Sequence, residues 1–395
     1  MPALEGIKIL ELAQTPIAAL CDMILGDFGA DILKIDSPAG AGMFASPPDE
    51  IAYDPLHRNK RNMALNLRSE EGRKVFLELV KDADVVVEGF RPGVMKRLGI
   101  DYETISKLNP RIIYCSISGY GQDGPYRELP GHDLNYISIA GALGLVGKSD
   151  GPPIIPLNWV ADWAGGVLHS AIGILLAITA RGNTGKGQYV DISMTDGAVA
   201  LLSAMTGNYF QKGIVPKRGD VFLASTYPYY DVYEAKDGRY ISIGCLESVF
   251  WENLCRELGR EDLIPFQFSS EHRFHKAEGE EWEAVTSFLK TTFRTKTADE
   301  WVELLGPKNI PITKVNNIDE VFSNPQVLHR KMLVEMDHAE LGKVKQLGIA
   351  IKLSDTPGEI RSFAPLPGAH TDEVMNNLGY AASDIERMRA AGVIA

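Results

Sequence analysis

The chain has few cysteines and no excess of positive charge. Its 395 residues include four cysteines, none of them in a CxxC pair or at a metal-ligand spacing: Cys21, Cys115, Cys245 and Cys255. We therefore expect buried, reduced thiols rather than a disulfide framework or a zinc site. The formal net charge of −12 argues against nucleic acid as the main partner, although a local basic pocket is compatible with it.

The sequence also lacks an N-terminal targeting segment and long apolar runs. The start, "MPALEGIKILELAQ", has neither the basic region nor the uninterrupted apolar core of a signal peptide. The most apolar segment, Val167 to Ala180, is too short to span a bilayer and contains His169, so it predicts a buried helix. No peroxisomal address ends the chain. We predict a cytoplasmic protein without a membrane partner.

The common glycine-rich phosphate motifs are missing as well. "AQTPIAA" follows the first predicted strand and has no glycine where a dinucleotide-binding turn needs one. "GNTGKGQ", which begins at Gly182, has the wrong glycine spacing for a P-loop, and no Ser or Thr follows Lys186. This segment predicts a turn, and we set aside NAD and ATP as ligands.

What is present is an alternation of strands and helices in the first third. Strands rich in Val and Ile are predicted at Ile7–Leu12, Asp31–Asp36, Asp84–Phe90 and Arg111–Ser118. Helical patterns at Pro16–Gly29 and Ser69–Ala83 separate them. The pattern predicts an α/β, Rossmann-like fold with parallel strands and helices on both faces.

Beyond residue 225 the pattern changes. Two alternating runs joined by Asp237-Gly238 predict a hairpin, and a helix follows at Ser248–Gly259. Near the end, Ser383 and Glu386 have the spacing of a capping box. We predict the following organisation: 1–200, the first part of a large domain; 201–225, a linker; 226–325, a small α+β domain; 326–395, a return linker and the last part of the large domain. The loop from Ser37 to Asn62 is a candidate to line the site.

Three residues are candidates for chemistry. His132 in "GHDLNY" and Asp162 in "LNWVADWAGG" precede helical segments, and Glu247 lies where a strand meets a helix. Each has an ordinary structural explanation, because Asp, Glu and His at helix starts commonly act as caps or dipole partners. Taken singly, the structural explanation is favoured for all three.

Taken with their flanking residues, the three motifs resemble a known family. "GIKILELA", "GFRPGVMKRLGIDY", "SGYGQDGPY", "TGKGQYVDISM" and "PLPGAHTDEVMNNLGY" resemble the class III CoA-transferase family over nearly the whole chain. "GHDLNY", "PLNWVADWAGG" and "GCLES-F" resemble its alpha-methylacyl-CoA racemases. The resemblance implies that His132, Asp162 and Glu247 form a catalytic set.

The implied chemistry suits these residue types. Inverting a carbon next to a thioester needs a base on one side and an acid on the other. Histidine titrates near neutrality, and partial burial is expected to raise the pKa of Asp162. Glu247 would orient the imidazole. The backbone N–H of Asp133 is the expected donor to the enolate oxygen.

Coenzyme A enters as part of the substrate, and no separate cofactor or metal is required. The resemblance places CoA contacts at Leu65, Arg68, Gly89, Phe90, Arg91 and Arg97. Arginines suit phosphate oxygens. Where many relatives carry an arginine near the adenine this chain has Ser37, and Lys34 and Arg58 are the nearby cations expected to compensate. An acyl pocket is expected from Met43, Phe44 and Pro47 with Tyr229 and Tyr230.

The resemblance also implies an interlocked homodimer, in which the large domain of one chain and the small domain of the other share a site. Three functions are compatible with the residues. The first is racemisation of 2-methyl-branched acyl-CoA thioesters. The second is CoA transfer with Asp162 as the nucleophile, which forms an anhydride and then an aspartyl-CoA thioester. The third is acyl-CoA binding without catalysis.

Overall fold

The computed structural model describes residues 1–12, 15–39, 47, 49–221, 223–224, 227–267 and 279–395. The chain divides into two compact units. The large unit comprises Met1–Ala140, Leu157–Leu201 and Pro325–Ala395, and the small unit comprises Gly141–Pro156 and Leu202–Asn324. Residues 141–156, assigned to the large domain from the sequence, therefore group with the small unit. Met43 and Phe44 lie outside the described residues.

The described residues form eleven strands. They are β1 (Lys8–Leu12), β2 (Asp31–Asp36), β3 (Lys60–Ala64), β4 (Val85–Glu88), β5 (Ile113–Ser118), β6 (Tyr189–Ser193), β7 (Tyr230–Glu234), β8 (Tyr240–Gly244), β9 (Ile312–Lys314), β10 (Leu333–His338) and β11 (Gly342–Leu347).

The same residues form fifteen α-helices and one π-helix. The α-helices are α1 (Pro16–Asp27), α2 (Glu70–Lys81), α3 (Val94–Leu98), α4 (Tyr102–Leu108), α5 (Asp133–Ile139), α6 (His169–Thr184), α7 (Met194–Ala200), α8 (Ser203–Lys212), α9 (Ser248–Glu257), α10 (Glu280–Phe293), α11 (Ala298–Leu305), α12 (Ile318–Val321), α13 (Pro325–His329), α14 (Thr371–Asn377) and α15 (Ala382–Ala390). The π-helix spans Trp159–Leu168 and leads directly into α6.

A six-stranded parallel sheet organises the large unit. Its order is β3-β2-β1-β4-β5-β6. From β1 the chain adds β2 and β3 on one side of the sheet and then β4, β5 and β6 on the other, so the strand order reverses between β1 and β4. Ligands of open α/β sheets bind outside the carboxyl ends of the strands at such a point. The predicted α/β class with a parallel sheet is confirmed, and the sheet directs attention to the ends of β1, β4 and β5.

Burial of apolar faces explains why these elements form. The valines of β4 at 85–87 are fully buried, as expected for a parallel strand covered on both sides. Helix α2 begins after Ser69, whose hydroxyl accepts the N–H of Gly72, and it buries Val75, Phe76 and Val80. All four cysteines are buried and free, as predicted.

The π-helix lies in the large unit against α7. A Cβ placed on Gly197 would lie 2.4 Å from the Cα of Gly165, so both positions need glycine for the two helices to approach this closely. The N–H of Trp163 donates to the carbonyl of Asn158 at 3.2 Å, five residues earlier. Wider turns of this kind occur frequently at functional sites.

The π-helix and α6 together form a longer apolar helix than the sequence predicted. The helix runs over Trp159–Thr184, contains an 18-residue window with a mean hydropathy of 1.6, and is long and apolar enough to cross a membrane by length and composition alone. That criterion is weak, because core helices also meet it. The segment is helical as predicted, but the helix is longer than predicted and only one face of it is buried. Ala171 and Ile174 are buried, whereas Ile172 and Leu176 are exposed.

The small unit contains the antiparallel sheet β7-β8-β9. The predicted hairpin is present, and Gly238 has a φ of +74° in its turn, a conformation that favours glycine. Trp251, Tyr229 and Phe293 are buried in its core. Tyr229 therefore does not line an open acyl pocket as predicted.

Two local predictions are corrected by the structure. The predicted loop from Ser37 to Asn62 already contains the start of β3 at Lys60. The helix near the C-terminus begins at Ala382 after Ala381, with no side-chain cap, so Ser383 and Glu386 do not form a capping box.

Candidate active site

A cavity of about 510 Å³ opens at the carboxyl ends of β4 and β5 in the large unit. Residues from the loop after β4, the segment before α5, α5 itself and the π-helix line it. His132 and Asp162, which are 30 positions apart in the sequence, both contribute to this lining. The structure thus brings together two of the three residues assigned catalytic roles.

His132 is the N-cap residue of α5 and is exposed. Its backbone N–H donates to Oδ1 of Asn135 at 3.1 Å, which fixes the start of the helix. The hydroxyl of Tyr136 donates to the carbonyl of Gly131 at 2.5 Å. These contacts hold the backbone on both sides of His132, so the imidazole projects from an anchored helix start.

Tyr136 also lines the cavity, and its ring packs closely against two glycines. A Cβ on Gly119 would lie 2.3 Å from its ring, and one on Gly131 would lie 2.7 Å away. Burial, with the negative charge of Asp162 next in importance, raises the pKa of Tyr136 to about 12. The phenol is therefore a neutral hydrogen-bond donor around neutral pH. Tyr136 is the last residue of the motif "GHDLNY", and the sequence alone indicated no role for it.

Asp162 occupies the first turn of the π-helix and is half-buried. Burial raises the pKa of its carboxyl group, the hydrogen bond from Asn158 lowers it, the charge of Asp133 raises it, and the charge of His132 lowers it. The net shift is upward, in the predicted direction. Asp162 is therefore better able to hold a proton than an exposed aspartate, and it lies in the cavity that His132 also lines.

Asp133 has a second role that the sequence did not suggest. Its N–H is at the first position of α5, as required of the predicted donor to an enolate oxygen. Its carboxylate is buried, and Oδ1 accepts the N–H groups of Ala161 and Asp162, both at 2.8 Å. Asp133 thereby links the start of α5 to the π-helix.

Glu247 lies in the small unit, where it is exposed at the N-cap of α9. Its carbonyl accepts the N–H groups of Phe250 and Trp251, at 3.0 and 3.3 Å. These bonds belong to the helix start, and the carboxylate remains at the surface of the unit. Its catalytic role stays a prediction.

Some of the residues predicted to bind CoA do line the cavity. Gly89, Phe90 and Arg91 follow β4 and contribute to the lining. A Cβ on Gly93 would lie 3.5 Å from a guanidinium nitrogen of Arg97 and 3.8 Å from one of Arg127, so two cations converge over that glycine. Arg127 was not singled out in the sequence, although it directly follows the motif "SGYGQDGPY".

The other predicted CoA contacts have different environments. Arg68 is exposed just before α2, whereas Leu65 is 1% exposed within the core and its N–H donates to the carbonyl of Asp36 at 2.8 Å. Arg58 is also 1% exposed, and its guanidinium binds both carboxylate oxygens of Asp27 and the carbonyl of Leu347. Its donors are used inside the fold, so the prediction that Arg58 contacts CoA is wrong.

Lys34, which was expected to compensate for the missing arginine at Ser37, is engaged in an ion pair within the fold. Its ammonium lies 3.2 Å from Oδ2 of the buried Asp36 and is itself largely buried. Ser37 accepts the N–H of Ala39 through its hydroxyl. The cation nearest to Ser37 in sequence is thus already paired within the large unit.

A buried carboxyl group, Glu88, lies beside the cavity and was missed from the sequence. It ends β4 and accepts hydrogen bonds from the Ser116 hydroxyl at 2.5 Å and the Phe90 N–H at 2.8 Å. Burial raises its pKa to about 7, although both hydrogen bonds act in the opposite direction. Glu88 also lines an adjoining cavity of about 340 Å³ with Arg91 and Arg127. Within the described ranges, no cluster of three or more His, Cys, Asp or Glu residues could hold a metal.

Comparisons with known proteins identify relatives of the whole chain. A family model described as CoA-transferase family III matches residues 4–371. An acyl-CoA transferase from Fusarium pseudograminearum (strain CS3096) is 35% identical over 99% of this chain and 88% of its own length. The alpha-methylacyl-CoA racemase of Homo sapiens is 32% identical over 99% of this chain and 97% of its own length. The crystal structure of a CAIB/BAIF family protein from Brucella suis has a TM-score of 0.81 at 30% identity and covers 95% of this chain and 99% of that chain.

Proposed function

Because the chain belongs to CoA-transferase family III, whose members act on CoA thioesters, we propose that it is a racemase of 2-methyl-branched acyl-CoA thioesters. In this proposal His132 and Asp162 remove and return the α-proton from opposite sides. The single observation that carries it is that both residues line one cavity at the carboxyl ends of β4 and β5.

The proton affinity of Asp162 supports this reaction over nucleophilic attack. Burial raises its pKa, so its carboxyl group holds a proton at higher pH than an exposed aspartate. That property suits a group that alternates between acid and base, whereas a nucleophilic carboxylate must be deprotonated. The thioester lowers the cost of removing the α-proton, because the charge moves to oxygen as an enolate.

Binding of the substrate would use the loop after β4. Arg91 and Arg97 would contact CoA phosphates, and Gly89 and Phe90 would contact the rest of the cofactor portion. The N–H of Asp133 would donate to the enolate oxygen, and loss of one such donor typically reduces the rate about 10²- to 10³-fold. No further cofactor is part of the proposal.

We propose an interlocked homodimer in the cytoplasm, with Glu247 of a second copy orienting His132. The exposed face of the helix over Trp159–Thr184 supports association, since Leu168, Ile172 and Leu176 are 50%, 53% and 65% exposed. Apolar side chains at this spacing share one helix face and favour burial against a partner. Sedimentation analysis of the full chain would give the mass of a dimer, and a monomer would contradict this part of the proposal.

The decisive experiment is to incubate a single enantiomer of a 2-methylacyl-CoA in deuterated water without any acceptor acid. We expect deuterium to enter the α-position while stereochemical purity is lost. His132→Ala and Asp162→Asn should each slow the exchange by about 10²- to 10⁴-fold. An exposed aspartate in the large unit, Asp355, provides the control variant Asp355→Asn, which should exchange like the wild type.

A second function has support from the relative named an acyl-CoA transferase. In that reaction Asp162 would take the acyl group as an anhydride, form an aspartyl-CoA thioester and pass CoA to another acid. Absence of α-proton exchange, together with CoA transfer once a free carboxylic acid is added, would replace the racemase proposal with this one. Tight CoA binding with neither reaction would contradict both.

A further inference from the structure

The carboxylate of Asp133 joins two elements that carry the proposed proton carriers. It lies at the first position of α5, directly after His132, and is 5% exposed. Its Oδ1 accepts the N–H of Ala161 and the N–H of Asp162, each at 2.8 Å. One carboxylate oxygen of Asp133 therefore binds the backbone of Asp162, while His132 is the residue immediately before Asp133 in the chain.

The two amides need this acceptor because of where they lie. The first N–H groups of a helix have no partner within it, and the first π-type bond here is made by Trp163. Ala161 is fully buried, so its N–H would otherwise be removed from water without a hydrogen bond. The Asp133 carboxylate satisfies both donors at once.

We propose that the Asp133 side chain is a positioning residue, which fixes the backbone of Asp162 relative to His132 by binding the amides of Ala161 and Asp162. This role is additional to that of the Asp133 N–H, and it rests on the proposed racemisation. It gives a physical reason for an aspartate, rather than any helix former, directly after the histidine.

The charge of the same carboxylate acts on proton transfer. Burial is the main cause of the raised pKa of Asp162, and Asp133 adds to it while Asn158 and His132 oppose it. Tyr136 of α5 also interacts electrostatically with Asp162. The remaining titratable groups on elements packed against the π-helix are Cys21, Asp22 and Asp27 of α1, His169 and Arg181 of α6, Tyr189 and Asp191 of β6 and Asp196 of α7.

Two variants separate the hydrogen bonds from the charge. Asp133→Ala removes both the hydrogen bonds and the charge. The resulting displacement of the Asp162 carboxyl group should lower kcat about 10²-fold. KM should change little, because the proposed CoA contacts lie on another loop. Asp133→Asn keeps a neutral acceptor and should lose less activity. With the charge gone, the pKa of Asp162 falls, so the acidic limb of the kcat/KM profile should move to lower pH. Asp355→Asn, an exposed change, should match the wild type in both measurements.

A second measurement does not depend on the reaction. Hydrogen exchange of the full chain, followed by mass spectrometry of peptides covering 159–163, reports directly on the two amides. Asp133→Ala should increase exchange there, and Asp133→Asn should increase it less. If Asp133→Ala does not fold, as judged by circular dichroism, the pH profile and exchange of Asp133→Asn still decide.

The outcomes distinguish this inference from the proposed function. Unchanged amide exchange in Asp133→Ala, or wild-type kcat and an unshifted pH profile in the folded variants, would overturn the positioning role. Wild-type protein that fails to exchange the α-proton, while Asp133→Ala exposes the 161 and 162 amides, would instead contradict the racemase proposal and leave the structural link intact.

Discussion

Two short basic segments of the large unit have similar composition but lie in different environments. The first basic segment, Arg58–Arg61, is mostly inside the protein: Arg58 binds Asp27, and Lys60 binds Glu11 at 2.7 Å. The second basic segment, Arg91–Arg97, begins in the loop after β4 and continues into α3, where Arg91, Lys96 and Arg97 are exposed. One segment stabilises the fold, and the other is available to a ligand.

The secondary structure of each segment explains the difference. Lys60 begins β3, which pairs with β2 at the edge of the sheet, and its ammonium also donates to the carbonyl of Ala19 in α1 at 2.8 Å. The second basic segment follows the carboxyl end of β4, the edge at which α/β sheets bind ligands. A cluster of cations in a sequence therefore predicts phosphate binding only when its place relative to a strand is known.

The largest effect is expected when the cation is removed from the buried ion pair of Lys60 and Glu11. Burial raises the pKa of Glu11, but the positive charge and hydrogen bond of Lys60, together with nearby Lys34 and His57, lower it further than burial raises it. The net shift is downward, so the carboxylate stays ionised. Lys60→Met leaves that charge without its partner, and removing one member of such a pair typically costs about 3–5 kcal/mol. We expect the urea midpoint of the full chain to fall accordingly, as followed by far-UV circular dichroism.

A matched control is Lys74→Met, which removes a cation from an exposed pair with Glu70 on α2. Exposed pairs contribute little, so the midpoint should hardly change. Equal midpoints for Lys60→Met and Lys74→Met would show that the first basic segment does not stabilise the fold through its buried charge.

Much of the large unit's architecture was predictable from local pattern. Val- and Ile-rich runs alternating with amphipathic segments identify β1, β2, β4 and β5, because parallel strands covered on both faces are apolar throughout. Strand β3 escaped prediction, since "KRNMA" carries its polar residues inward to carboxylates that are distant in the sequence.

The candidate site was only partly accessible from the sequence. His132 and Asp162 were identified through motifs that resemble those of a family, and the structure places them in one cavity. The internal partners of Arg58 and Glu88 come from other elements, namely Asp27 and Ser116, so no local pattern shows them. Nor does any local pattern distinguish the π-helix at Trp159–Leu168 from an α-helix, because the two differ by one residue in hydrogen-bond spacing.

The next largest effect concerns the second basic segment. Arg91→Ala removes an exposed guanidinium from the cavity lining. Hydrogen bonds to charged groups contribute about 1.5–3 kcal/mol, so the dissociation constant for CoA should rise roughly 10- to 100-fold. Isothermal titration calorimetry with CoA measures this, and the urea midpoint should stay near that of the wild type.

Arg61→Ala is the control for binding, since Arg61 belongs to the first basic segment and pairs with Asp31 and Glu373. It should leave CoA affinity unchanged. If Arg61→Ala weakens CoA binding as much as Arg91→Ala, the two segments do not differ in function.

The last effect concerns Glu88, a buried carboxyl group whose burial is opposed by hydrogen bonds from Ser116 and Phe90 rather than by an ion pair. Its pKa is about 7 in the fold against an ordinary value of 4.5. Between these values the folded protein holds a proton that the unfolded chain has lost, so the free energy of unfolding falls as pH rises through this window. Glu88→Gln cannot titrate, and its stability relative to the wild type should therefore improve from the lower to the upper end of the window.

Urea unfolding at both ends measures the change, with exposed Glu340→Gln as the control. A difference between Glu88→Gln and the wild type that does not vary with pH would show that Glu88 is ionised in the fold, and that its hydrogen bonds from Ser116 and Phe90 compensate for burial much as Lys60 does for Glu11.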